Sequence, residues 1–203
     1  MKLFRLLLLA LVLSAASGCG EKVPKLAKLG SADVIVAFGD SLTYGIGVQE
    51  HESYPAVLAQ LTGRQVIRAG VPGEVTAQGL QRLPEVIEEH RPNLMIVCLG
   101  GNDMLRKVNA AEIKSNLRSI IKAIQDRGIA VVLVGVPQPA LITSAPAFYS
   151  EIAKEFAVPY EGKIVTSVLY SPDMKADSIH PNAKGYRRMA EALAELLRRT
   201  GAI

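Results

Sequence analysis

The sequence predicts an α/β domain of three layers, an αβα sandwich with helices on both sides of a mainly parallel sheet. Two observations carry that prediction. From Asp33 onward, short apolar runs alternate with amphipathic helical patterns, as strand–helix–strand units do. One run, Ile129–Val136 (IAVVLVGV), is apolar on both faces of an extended chain, which suits an interior parallel strand covered by helices on either side. The chain has 203 residues, 49% of them hydrophobic, which is enough for one domain with a substantial core.

Taken in order, Asp33–Phe38 (DVIVAF) reads as a buried strand, followed by a loop and a helix at Tyr54–Leu61. Gln65–Ala69 is a second strand. Thr76 to His90 is helical, with Leu80, Leu83 and Ile87 on one face and Pro84 as a kink or restart. Asn93–Leu99 is a third strand. Ala110–Arg127 has Ile113, Leu117, Ile120, Ile121 and Ile124 at three- and four-residue spacing and stops at Gly128. Ile129–Val136 is the fourth strand, Pro137 to Pro146 a loop, and Ala147–Phe156 a helix. Either Val158–Tyr160 or Val165–Leu169 supplies a short fifth strand. Ala183–Arg199 closes the chain as a helix that turns Tyr186, Met189, Leu193 and Leu196 inward.

Residues 1–18 read as a secretory signal peptide. Lys2 and Arg5 precede an apolar run from Leu6 to Leu13, and the small residues Ser14-Ala15-Ala16-Ser17-Gly18 follow. The run is shorter than the roughly 20 residues that span a bilayer. Ala16-Ser17-Gly18-Cys19 resembles a bacterial lipobox, in which cleavage leaves a lipidated cysteine as the new N-terminus; plain secretion is the alternative. Gly20 in place of an aspartate favours, by lipoprotein sorting rules, the outer over the inner membrane. The expected location is thus the bacterial cell envelope, periplasm-facing and anchored through Cys19. Residues 19–32 would form the lipidated N-terminus and tether, and residues 33–203 the folded domain. Lys22, Lys25 and Lys28 read as part of a solvated tether, with contact to anionic headgroups as the sharper alternative.

Charge and cysteine content exclude several classes. Loss of Lys2 and Arg5 with the signal lowers the formal charge from +4 to +2, which is no nucleic-acid signature. Cys98, the only cysteine besides Cys19, lies in an apolar strand and reads as a small core residue, with no disulfide between the two. The sequence has no Cys/His cluster at metal-ligand spacing, no phosphate loop and no dinucleotide fingerprint, so neither metal nor cofactor is expected.

Four stretches carry chemistry: FGDSLT (Phe38–Thr43), AGVPGE (Ala69–Glu74), LGGND (Leu99–Asp103) and DSIHP (Asp177–Pro181). Ser41 follows the first strand, Gly73 the second and Asn102 the third, so three candidate groups project from the carboxyl rim, where α/β sheets place their crevice. A serine hydroxyl needs a base to become a nucleophile, and His180 is the best base available. Asp177, three residues earlier, can hold the second imidazole nitrogen and stabilise the imidazolium. The backbone N–H groups of Ser41 and Gly73 and the side-chain amide of Asn102 are candidate donors to an oxyanion. Asp40 and Asp103 are expected to brace these loops through hydrogen bonds. Gly39-Asp40-Ser41-Leu42-Thr43 lacks the second glycine of a nucleophile elbow, which excludes the α/β-hydrolase pattern.

These residues resemble the GDSL, or SGNH, hydrolase family: Ser41 in GDSL, Gly73 in the second block, Asn102 in GGND and His180 in DxxHP. The similarity runs from Asp33 to Arg199 and includes Ser53-Tyr54-Pro55 and the HPNAKGY run around His180. Within the family the chain is similar to the small bacterial periplasmic enzymes described as thioesterase, lysophospholipase and arylesterase in one protein. The resemblance implies a flavodoxin-like sheet of five strands, no metal or organic cofactor, and hydrolysis of acyl or aryl esters, lysophospholipids and acyl thioesters through an acyl-serine. It also implies an apolar acyl groove lined by Met104, Leu105, Leu141 and Ile142. Arg68 departs from the family, standing where an asparagine is usual, and Pro72 and Val75 replace small polar residues. An O-acetylesterase of cell-wall or surface polysaccharide is the alternative enzyme, and an inactive binding lipoprotein the alternative outside enzymes. The chain is expected to act as a monomer on a small-molecule or lipid ester, with no nucleic-acid partner.

Overall fold

Five parallel strands in the order β2-β1-β3-β4-β5 form the centre of the molecule. A computed structural model describes residues 23–138 and 144–203; Cys19, Leu141 and Ile142 lie outside them. The strands are β1 (Val34–Gly39), β2 (Gln65–Gly70), β3 (Leu94–Cys98), β4 (Ala130–Val134) and β5 (Tyr160–Glu161). Interior strands are covered on both faces: β3 is wholly buried, and β1 and β4 are buried beyond their first residue. Edge strand β2 is only part-buried. That gradient explains why VIVAF and LMIVC are continuous apolar runs while QVIRAG tolerates Arg68.

The helices are α1 (Ser41–Tyr44), α2 (Tyr54–Thr62), α3 (Thr76–His90), α4 (Gly101–Leu105), α5 (Ala110–Gln125), α6 (Ala147–Glu155), α7 (Ile164–Tyr170) and α8 (Ala183–Thr200). Helix α8 packs against α2 and α7, and α5 against α3 and α6, which gives the two outer layers. Phe38 lies beneath α3, whose Arg82 guanidinium sits 4.2 Å from the ring centroid. Cys98 is free and fully buried between the layers, where burial pushes its thiol well up.

Three expectations change. Helix α3 runs through Pro84 without the anticipated restart, because Leu83, Val86 and Ile87 bury its face on both sides of the missing N–H. The apolar run Val165–Leu169 is helical, burying Ile164, Val165, Val168 and Leu169, so the fifth strand is the two-residue Tyr160–Glu161. Finally, the stretch read as a solvated tether is docked from Val23 on. Leu26 N–H donates to the Thr200 carbonyl (3.1 Å) and Leu29 N–H to the Ala202 carbonyl (2.8 Å), while Leu29 is buried. Lys25 Nζ donates to the Arg199 carbonyl (2.9 Å), a cation at the negative end of a helix.

The candidate active site

Strand order 2-1-3-4-5 reverses between β1 and β3, and the crevice of such a sheet lies beyond the carboxyl ends of those two strands. Ser41 stands two residues after the end of β1 and Asn102 four residues after the end of β3. Asp40 caps α1: its Oδ1 accepts from Leu42 N–H (3.0 Å) and its carbonyl from Thr43 and Tyr44 N–H (3.1 and 2.9 Å), so the chain turns immediately at Ser41. Gly39 is required there, since a β-carbon would overlap the Thr43 hydroxyl and the Cys98 carbonyl. Arg68 braces the far side of the turn, donating to the Tyr44 carbonyl (2.7 Å), pairing with Glu50 (3.1 Å) and stacking on Tyr44. The residue that departs from the family pattern thus has a structural task of its own.

The loop before α8 brings His180 to Ser41. Ala176 N–H donates to the His180 carbonyl (2.9 Å), Asn182 ties to the Asp173 and Lys175 carbonyls and caps α8, and Lys184 pairs with Asp173. Tyr186, on the first turn of α8, donates to the Ile46 carbonyl (3.0 Å) and fixes the helix against the loop after Ser41. His180 Nε2 then lies 3.0 Å from Ser41 Oγ, and His180 Nδ1 lies 2.8 Å from Asp177 Oδ2. The other Asp177 oxygen accepts from the backbone N–H groups of Ile179 and His180 (both 2.8 Å). Partial desolvation acts to raise the Asp177 carboxyl, but the His180 ring and these two N–H groups outweigh it and hold it below its usual value. A charged carboxylate on Nδ1–H leaves Nε2 as the acceptor facing the hydroxyl, and an imidazole so placed can take the serine proton.

The second and third loops are built on buried polar groups. Gly73 sits at φ 79°, a left-handed conformation that favours glycine, and its carbonyl accepts from Arg106 (2.8 Å). The next residue, Glu74, is buried and pairs through both oxygens with Arg82 (2.5 and 2.7 Å). Arg82 also donates to the Gly39 and Ala69 carbonyls at the ends of β1 and β2. The Asn102 amide donates to the Glu74 carbonyl (3.0 Å) and to Asp40 Oδ2 (3.2 Å). Asp103 accepts from the Thr76 N–H (2.9 Å to Oδ2) and hydroxyl (2.6 Å), capping α3 where Val75 has no acceptor to offer. Asp40 and Asp103 therefore do brace the loops, whereas Glu74 and Arg82 escaped the sequence reading: a glutamate in a turn gives no local sign of burial.

A cleft opens beside Ser41 and His180, walled by Leu42, Leu105, Val136, Pro137, Leu169 and Ile179. Of the residues the family resemblance implied for an acyl groove, Leu105 lies on this wall, whereas Met104 packs against the core. Among the described residues, no three His, Cys, Asp or Glu side chains gather as a cation site, and no helix is long and apolar enough to cross a membrane.

The chain is similar in sequence and fold to known proteins. The profile of the GDSL-like lipase/acylhydrolase family matches residues 37–188. A protein named thioesterase 1/protease 1/lysophospholipase L1 from Escherichia coli (strain K12) is 31% identical over 175 residues, covering 82% of this chain and 84% of its own. An arylesterase from Vibrio mimicus is 31% identical over 202 residues, covering 94% and 95%. A crystal structure of TesA superposes with a TM-score of 0.74 at 25% identity, covering 83% of this chain and 99% of that one.

Proposed function

Because the chain belongs to the GDSL-like lipase/acylhydrolase family and is a hydrolase of ester bonds, we propose that it cleaves carboxylic acyl and aryl esters, lysophospholipids and acyl thioesters among them, through an acyl-serine on Ser41. The observation that carries this reading is the chain of contacts Ser41 Oγ–His180 Nε2 (3.0 Å) and His180 Nδ1–Asp177 Oδ2 (2.8 Å). Ser41 Oγ attacks the carbonyl carbon as His180 takes its proton. The charge that develops on the carbonyl oxygen is met by the N–H groups of Ser41 and Gly73 and by the Asn102 amide. His180 then protonates the departing alcohol or thiol. Water repeats the sequence on the acyl-serine, with His180 again as base, and releases the acid.

The acyl group lies along the apolar wall of Leu42, Leu105, Val136, Leu169 and Ile179, which favours medium or long chains over acetyl. The leader 1–18 and Cys19 support a mature, periplasm-facing lipoprotein of the cell envelope, and Gly20 supports the outer membrane over the inner.

Hydrolysis of p-nitrophenyl esters from acetyl to palmitoyl, by protein lacking residues 1–19, tests the activity. Medium or long chains are expected to be preferred; acetyl alone would turn the reading to a polysaccharide O-acetylesterase. Ser41→Ala and His180→Ala are each expected to fall to near background. Asp177→Asn should lose about 10² to 10⁴ in kcat, because its amide would hold His180 in the tautomer that cannot accept the serine proton. Retained turnover in Ser41→Ala would end the acyl-serine mechanism.

A further inference from the structure

The orientation of the Asn102 amide decides whether it can meet an oxyanion, and two acceptors fix it. An amide nitrogen has two N–H bonds. One goes to the Glu74 carbonyl at 3.0 Å and the other to Asp40 Oδ2 at 3.2 Å. Glu74 is itself held through both carboxylate oxygens by Arg82. Asp40 is 2% exposed, so water does not compete for its oxygens. Its Oδ1 is bound to the Leu42 N–H, on the turn that carries Ser41. A carboxyl group is rigid and planar: with one oxygen fixed on that turn, the direction of the other is fixed as well.

We propose that Asp40 is a positioning residue for the ester cleavage, its carboxyl group tying the Ser41 turn to the Asn102 amide so that nucleophile and oxyanion donor share one frame. This rests on the reading of Asn102 as an oxyanion donor. Of the two amide bonds, the longer one to Asp40 is the weaker and is the one a developing oxyanion can share, while the Glu74 carbonyl keeps the amide in place. Without Asp40 the amide is held at one end only, and a displacement of the order of an ångström in a catalytic group costs about 100-fold in rate.

The test is kcat and KM on a short-chain p-nitrophenyl ester for Asp40→Ser, Asn102→Ala and the double variant, with a thermal melt of each. Serine is a good N-cap, so Asp40→Ser keeps the Leu42 bond but is too short to reach Asn102. Asn102→Ala is expected to lose about 10² to 10³ in kcat. Asp40→Ser should lose about tenfold to a hundredfold, with KM changed less than about threefold. In the Asn102→Ala background, Asp40→Ser should cost less than about threefold more, since no amide remains to orient. Wild-type turnover in Asn102→Ala would remove the oxyanion reading and this proposal with it. An impaired Asn102→Ala beside an unimpaired Asp40→Ser overturns the proposal alone, as does an equal loss from Asp40→Ser in both backgrounds. If Asp40→Ser melts, Asp40→Asn replaces it in the same cycle: its single acceptor oxygen can serve Leu42 or Asn102 but not both.

Discussion

Burial makes the Asp40 carboxyl reluctant to ionise. Removal from water acts first and the nearby charges of Glu74 and Asp103 add to it, against the Leu42 N–H that favours the charged form; its pKa is pushed from 3.8 up to about 7. The folded chain keeps a proton on Asp40 across that interval, which the unfolded chain has already released. The stability contributed by this group is therefore greatest near pH 4 and declines as pH rises to about 7. At about 1.4 kcal/mol per pH unit the whole decline is on the order of 4 kcal/mol. Asp40→Asn removes the titration, so its melting temperature relative to wild type should climb between about pH 4 and pH 7 and level off above. A difference that stays flat with pH would mean that Asp40 titrates at an ordinary value. At this scale the sequence was readable wherever partners are close along the chain. Asp177 and His180 lie three residues apart, and Ser41 sits in a recognisable motif. The charge state of Asp40 was not readable, since it depends on burial and on two acids brought in by other loops.

The turn after β2 is held by a buried acid, and that acid by one helix. Glu74 and Arg82 are eight residues apart, with side chains 3% and 21% exposed, and Arg82 also ties together the ends of β1 and β2. Arg82→Met keeps an apolar stem over Phe38 but strands the carboxylate, and loss of one partner of a buried pair costs about 3 to 5 kcal/mol. A loss near the lower end is expected in urea unfolding, because Arg82 is partly solvated, with Glu74→Gln/Arg82→Met recovering part of it. A loss below about 1 kcal/mol would show Glu74 to be satisfied without Arg82. Elements with an unambiguous apolar pattern were legible, as the stripe of α5 and the continuous runs of β3 and β4 show. Others were not. The run Val165–Leu169 fits strand or helix equally well by composition, and only the burial of Ile164, Val165, Val168 and Leu169 at helical spacing separates the two. Helices α1 and α4 are four and five residues long, too short for any period to show, and both carry site residues.

Across the whole molecule, order follows the axis of the sheet. The chemistry collects at the carboxyl ends of the strands, and strand order alone locates it between β1 and β3. The N-terminal segment belongs to the other end: Leu26 and Leu29 bind the last residues of the chain, and Arg64, just before β2 begins, donates to the Leu29 carbonyl (3.2 Å). Leu29 is 5% exposed, so Leu29→Ala should cost about 2 kcal/mol. In a chain of this size that lowers the melting temperature by roughly 4 to 8 °C. An unchanged melting temperature would mean the segment adds nothing to stability. The docking was invisible in the sequence because VPKLAKLG has too few apolar residues to declare a packed face. It has a bearing on how the protein would sit at a membrane. Helix α8 starts three residues after His180 and runs 18 residues, about 27 Å, before it meets Leu26 and Leu29. Four residue steps separate Val23 from Cys19, a reach of about 14 Å at most. If that cysteine carries a lipid, the tether enters the fold at the pole opposite the cleft, so that anchor and chemistry belong to opposite ends of the molecule.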